Sequence, residues 1–144
     1  MEKFPLIFIA IIGGLAITLQ GQFMGVMDKN TGTLESVFVT YASGGLLVSI
    51  VMFFLRGGNL VSLKTVPWYV MLSGVLGLVI VGTIGYVVPR LGLGTAFTII
   101  LVSQFVLAAL IDQFGWFGAL VRPIEPIRIL GFCVLFLGAW LVLR

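Results

Sequence analysis

Five continuous apolar stretches run along the chain, at residues 5–27, 34–55, 68–88, 93–111 and 127–143. Each is close to the roughly 20 residues that a helix needs to cross hydrocarbon. The apolar positions are consecutive and do not alternate with period two, which sets aside the strands of a membrane barrel. A backbone in lipid must satisfy its own hydrogen bonds, and a continuous apolar run does so as a helix. The pattern therefore predicts an all-α membrane protein: a bundle of five transmembrane helices forming a single transmembrane domain over residues 1–144.

The breaks between the stretches carry helix-ending chemistry. Asp28-Lys29-Asn30-Thr31-Gly32 reads as a polar turn, and Arg56-Gly57-Gly58-Asn59 follows the second span. Pro67 precedes the third, Pro89-Arg90-Leu91-Gly92 parts the third from the fourth, and Pro123 and Pro126 precede the fifth. Trp68, Tyr69, Tyr86, Trp116 and Trp140 fall near span ends, where an interfacial aromatic belt belongs. Residues 112–126 mix large apolar side chains with Gly115, Gly118 and Pro123, and read as a loop lying in the membrane interface, with a short re-entrant piece as the alternative. The first stretch follows Lys3 as a signal peptide would. At about 23 residues it is longer than the apolar part of a signal peptide, so a retained first span is expected.

Composition agrees with lipid as the solvent. Only 9% of the 144 residues are charged against 60% hydrophobic, whereas a soluble domain carries about 25% charged residues. The net charge of +3 is scattered without a basic cluster, which argues against nucleic acid as a partner. Histidine is absent and Cys133 is the one cysteine, so an internal disulfide, a His/Cys metal site and His-based catalysis are all excluded. Cys133 sits in an apolar run and reads as a packed or lipid-facing thiol. There are no paired acids and no nucleophile–base set, so an enzyme is not expected and no cofactor is implied.

With the N-terminus on one side, that side holds Lys3, Arg56, Lys64, Arg122 and Arg128, and the other holds Lys29, Arg90 and Arg144. The excess of five over three favours a cytoplasmic N-terminus, by a margin small enough to allow insertion in both orientations.

Small and polar residues mark helix contacts, because lipid supplies no hydrophobic drive between helices. At 100° per residue Gly14, Thr18, Gly21, Gln22 and Gly25 share a face of the first span, and Gln20 points away from it. Ser36, Thr40 and Ser43 share a face of the second. Gly74, Gly77 and Gly85 lie on one side of the third, with Thr83 and Tyr86 on another. Gln104 in the fourth span lies opposite Thr95. A glutamine amide without a partner in hydrocarbon is costly. Gln20, Gln22 and Gln104 therefore either bond across helices or line a wet solute path. Glu35 suits the positive N-terminus of the second helix or, alternatively, titrates in an internal vestibule. Asp112 can pair with a following basic residue such as Arg122.

Several short segments carry a likeness to a known family: Leu19-Gln20, Gly74-Val75-Leu76-Gly77, Leu91-Gly92-Leu93-Gly94-Thr95-Ala96, Val102-Ser103-Gln104-Phe105, Leu110-Ile111-Asp112 and Gly138-Ala139-Trp140-Leu141-Val142. By their order and spacing the chain resembles the YdcZ-type family of short transporters in the drug/metabolite transporter superfamily. Gln22, Glu35 and the aromatic loop 114–117 are departures from the family's pattern. The first span also lacks the glutamate that couples protons in the superfamily's small multidrug members.

The resemblance implies half of an EamA-like ten-helix inverted repeat, and hence a secondary transporter subunit that moves a small solute by alternating access. The expected partners are the lipid bilayer, a small-molecule substrate, and a second copy or homologous subunit in the opposite orientation. The expected place is the inner cell membrane, as a multi-pass protein. The substrate-binding residues expected are Gln20, Gln22, Tyr41, Tyr86 and Gln104, with Glu35 as the proton-coupling candidate and the fifth span in support. Few internal charges point to a neutral, zwitterionic or lipophilic-ion substrate. The competing reading is a non-transporting membrane scaffold or regulatory subunit of a larger complex, in which the polar residues only hold helices together.

Overall fold

The computed structural model describes residues 3–55 and 58–144. Arg56 and Gly57, part of the expected second turn and of the charge balance, lie outside the described residues. Among those described, the regular elements are all helical and no strand occurs. The α-helices are α1 (Lys3–Thr31), α2 (Thr33–Phe54), α3 (Ser73–Leu91), α4 (Leu93–Phe114) and α5 (Pro126–Val142). Short 3-10 turns cover Leu60–Thr65, Trp68–Leu72 and Trp116–Gly118.

Among the described residues, four helices are long and apolar enough to cross a membrane: Phe4–Thr31, Thr33–Phe54, Trp68–Leu91 and Leu93–Phe114. The third of these counts the 3-10 turn that leads into α3. At 17 residues α5 is shorter, about 25 Å at 1.5 Å per residue. Pro126 sets its start, occupying the first helical turn where a missing N–H costs nothing. Nearly all large apolar side chains of these helices are exposed on the isolated chain, on every face. Water would not tolerate so much open apolar surface, whereas lipid does.

Two breaks are sharper than the sequence pattern suggests. The polar residues Asp28 to Thr31 do not form a loop but complete α1. Asn30 Nδ2 donates to the Val26 carbonyl at 2.7 Å and Thr31 Oγ1 to that of Met27 at 2.9 Å. Both are bonds from a side chain to the carbonyl one turn back, inside the helix, so these polar residues continue the helix instead of opening a loop. The break is Gly32 alone, at φ +108°, where a side chain would be strained. Likewise α3 runs through Pro89 and stops at Gly92, φ +84°, immediately before α4. Pro89 removes the bond to the Gly85 carbonyl without ending the helix.

The chain divides into two compact units, residues 1–90 and 91–144. In the first, α2 runs antiparallel to α1 and α3. Residue pairs along the α2–α3 seam show this register: Gly77 meets Tyr41, Gly82 meets Val37 and Gly85 meets Ser36. The buried residues gather at one end, where α1 finishes, α2 begins and α3 finishes: Met24, Ser36, Ile84 and Val88, together with Gly21, Gly25 and Gly85. Glycine permits this approach. A Cβ on Gly25 would stand 3.1 Å from Val88 Cγ1, and one on Gly85 would stand 3.1 Å from Met24 Cε and 3.2 Å from Ser36 Oγ. Toward the opposite end, a Cβ on Gly13, Gly14, Gly44, Gly45 or Gly74 would meet nothing within 4 Å.

In the second unit α4 packs with α5. Gly115, in the left-handed conformation, ends α4. The following segment turns through Trp116–Gly118 and runs on to Pro126 without re-entering as a helix. It is tied back to α4: the Arg122 N–H donates to the Asp112 carbonyl at 2.8 Å, and the Ile124 N–H to Gln113 Oε1 at 2.6 Å. Asp112 and Arg122 are thus joined by a main-chain bond, and not by the expected ion pair. Phe114 and Trp116 stack with ring centroids 5.3 Å apart.

Candidate functional site

Two adjoining grooves in the first unit share Gln20, Thr40 and Gly44. One, of about 390 Å³, lies between α1 and α2 and is lined by Leu19, Phe23, Met24, Met27, Val39, Ser43 and Leu47 as well. The other, of about 410 Å³, reaches α3 and adds Tyr41, Gly45, Val48 and Val81. Both fall within the several hundred Å³ usual for small-molecule sites. No charged side chain lines either one.

Local structure explains this wall. Gln20 projects from α1 a turn before Met24, on the side that faces α2. Thr40 and Ser43 line α2 at helical spacing, and Gly44 and Gly45 leave the space open. The hydroxyl protons are already spent on the helix: Thr40 Oγ1 donates to the Ser36 carbonyl at 2.8 Å, and Ser43 Oγ to that of Thr40 at 3.2 Å. Their oxygens remain as acceptors. Gln20 makes no side-chain hydrogen bond to the described residues, so its amide offers donors and an acceptor to whatever fills the groove. Tyr41 Oη sits against Gly77, where a Cβ would collide with it. Glycine at 77 is what lets the phenol reach across to α3.

The expected site residues separate. Gln20 and Tyr41 meet in one groove. Gln22 is exposed and lines neither, its neighbours Gly21 and Gly25 being turned into the buried end. Gln104 is exposed on α4 in the second unit. Glu35 lies in the first turn of α2 with its carboxylate folded against Gly32, a position that suits the helix dipole.

Tyr86 belongs to a different cluster. Its ring lies under the Arg90 guanidinium, 3.6 Å from centroid to Cζ. Arg90 Nη1 donates to the Tyr86 carbonyl at 2.6 Å and to Asp28 Oδ2 at 3.1 Å. Asp28 also accepts a short hydrogen bond from Thr33 Oγ1. The Asp28 side chain is 6% exposed and that of Arg90 48%. Asp28 looked like an ordinary turn residue in the sequence, and Thr40 and Ser43 like packing residues. The signal available was that Ser36, Thr40 and Ser43 share a face, but nothing in the sequence says that this face meets Gln20.

Among the described residues no group of three or more metal-ligating side chains comes together, and Cys133 is an exposed free thiol.

Comparison with known proteins adds identity to this geometry. A family model described as "Putative inner membrane exporter, YdcZ" matches residues 5–141. The chain is similar to the inner membrane protein YdcZ of Escherichia coli (strain K12), with 26% identity over 141 residues, covering 93% of this chain and 91% of that protein. No solved structure matches it.

Proposed function

The chain belongs to the YdcZ family, and on that premise we propose that it is a secondary transporter subunit that exports a small solute by alternating access. It is a multi-pass inner membrane protein with a transporter's family and a helical, lipid-compatible surface. The observation that carries the finer reading is the unpartnered Gln20 amide in a groove of about 400 Å³ with acceptors at Thr40 and Ser43. An amide in apolar surroundings without a hydrogen-bond partner is destabilising, and a solute or its water would relieve it.

The substrate this wall suits is uncharged or of balanced charge, with an apolar body and one or two hydrogen-bonding groups. A lipophilic ion fits the same lining, while a compact multivalent ion finds no counter-charge. Gln22, Tyr86 and Gln104 remain candidates for parts of the solute path, and Glu35 for proton coupling. Five helices, with α5 as the short supporting member, make half of a ten-helix inverted repeat. Two such subunits in opposite orientations, identical or homologous, would complete the pathway. The even spread of basic residues leaves both orientations open, with a cytoplasmic N-terminus slightly favoured.

The test is solute flux in proteoliposomes, with candidates chosen by a thermal-shift screen of purified protein against small metabolites and cationic dyes. Transport with saturation, weakened by Gln20→Leu, supports the reading. A protein that binds and moves nothing, yet copurifies with a larger complex, would instead be a scaffold or regulatory subunit. Cysteine accessibility at both termini tests the paired arrangement, which fails if every copy shows one orientation and no oppositely oriented partner is present.

A further inference from the structure

We propose that Asp28 and Arg90 form the releasable latch of a gate that closes one end of the α1–α2–α3 unit. The inference rests on the transport reading above and names the part that would open.

The first observation is the uneven packing along the three helices. Contact is tight where Met24, Gly25, Ser36, Gly85 and Val88 converge and open toward the other end, at Gly13, Gly44 and Gly74. Met24 belongs to both regions: it is 1% exposed and it also lines the groove. The groove runs on along α1 to Met27, the residue next to Asp28, so its far end reaches the closed end. Asp28 lies one helical turn beyond Met24, about 6 Å along α1. A solute leaving by this end must part α3 from the α1–α2 hairpin.

The second observation is how each half of the ion pair is held. Asp28 keeps a partner on its own hairpin, the Thr33 hydroxyl. Arg90 keeps two on its own helix, the Tyr86 carbonyl and the Tyr86 ring. Parting the helices breaks the Arg90–Asp28 contact and leaves both side chains positioned to re-form it. Pro89, immediately before Arg90, removes a hydrogen bond from the last turns of α3 and so weakens the helix where it would bend.

The third observation is exposure. Asp28 is enclosed, and Arg90 is half in the open. The guanidinium makes its hydrogen bonds to the described residues through Nη1, and about half of the Arg90 side chain is open. Water can thus reach the pair from the Arg90 side and solvate it as it opens.

The experiment is a distance measurement on the full chain in bilayers. Nitroxide labels are placed at Lys29→Cys and Thr83→Cys in a Cys133→Ser background, diluted with unlabelled protein so that only distances within one chain are read. The parent should show one dominant short distance. Asp28→Asn and Arg90→Gln should each raise the ratio of long to short distances by about tenfold, a modest figure because Arg90 is partly exposed. Arg90→Lys should stay close to the parent, and the exchange Asp28→Arg with Arg90→Asp should restore the short population. Unchanged distances in both single variants overturn the latch. So does an Arg90→Lys variant that opens as far as Arg90→Gln. Should the exchanged protein fail to fold, the Lys-against-Gln comparison decides by itself. Flux measured on the same preparations tests transport separately: distances that respond without any flux would remove the transport reading, and flux without a distance response would remove the latch.

Discussion

Replacing Gly85 with valine tests the close approach on which the first unit depends. A Cβ at this position would stand 3.1 Å from Met24 Cε and 3.2 Å from Ser36 Oγ. The methionine end is flexible, but it is 1% exposed and has little room to retreat. Ser36 is fully buried and its hydroxyl is bonded to the Thr33 carbonyl at 2.9 Å, so it yields less. Overpacking a tight contact costs about 1–3 kcal/mol. Replacing glycine in a helix returns up to about 1 kcal/mol for alanine and less for β-branched valine. Gly85→Ala should therefore be near neutral, and Gly85→Val should lose about 2 kcal/mol. The control is Gly13→Val, where a Cβ meets nothing within 4 Å and a change within about 0.5 kcal/mol is expected. Unfolding in mixed detergent micelles, followed by circular dichroism, gives the comparison. Met24→Ala should recover part of the loss in Gly85→Val and cost stability by itself, a coupling that a double-mutant cycle isolates. The packing argument is wrong if Gly85→Val matches the parent, or if Gly13→Val is equally damaging.

Other outcomes follow from the same geometry. Gln20→Leu, which removes the one side-chain amide that lines the grooves among the described residues, should lower transport of a hydrogen-bonding substrate about tenfold, the value of one net hydrogen bond of about 1.4 kcal/mol, while helicity is unchanged. Gly77→Ala should displace Tyr41 and narrow the groove that reaches α3, weakening binding of bulky solutes more than small ones in a thermal-shift series. Glu35→Gln should abolish substrate-driven proton movement if Glu35 couples protons, and should leave it intact if the carboxylate only faces the positive end of α2. Gln113→Ala should loosen the 115–125 segment, leaving it the Arg122 N–H to Asp112 carbonyl bond, read as moderately faster limited proteolysis there with the helices intact.

Much of the architecture was legible along the chain. Long apolar runs admit one economical backbone solution in lipid, so the helices and their approximate places followed from hydropathy. The expected ends were less accurate, because a helix end is decided by local backbone detail. Polar residues 28–31 looked like a loop, yet Asn30 and Thr31 turn their side chains back onto carbonyls one turn earlier, and α1 continues to Gly32. Pro89 looked like a stop, yet the helix survives one missing bond and ends at the glycine three residues later.

The candidate site was legible only in pieces. Gln20 and Gln22 could be told apart by the 100° rotation between helical neighbours, and Thr40 and Ser43 could be placed on one face of α2. The sequence by itself determined the solvent, the secondary structure and the family, since each depends on residue type in order along the chain. Only tertiary structure decided that Gln20 faces Thr40, that Tyr41 reaches Gly77, and that Asp28 meets Arg90 across 62 residues. Those pairings depend on how far α3 slides and turns against the α1–α2 hairpin. That is set by which glycines let backbones approach, a property of two surfaces together that neither sequence segment states alone.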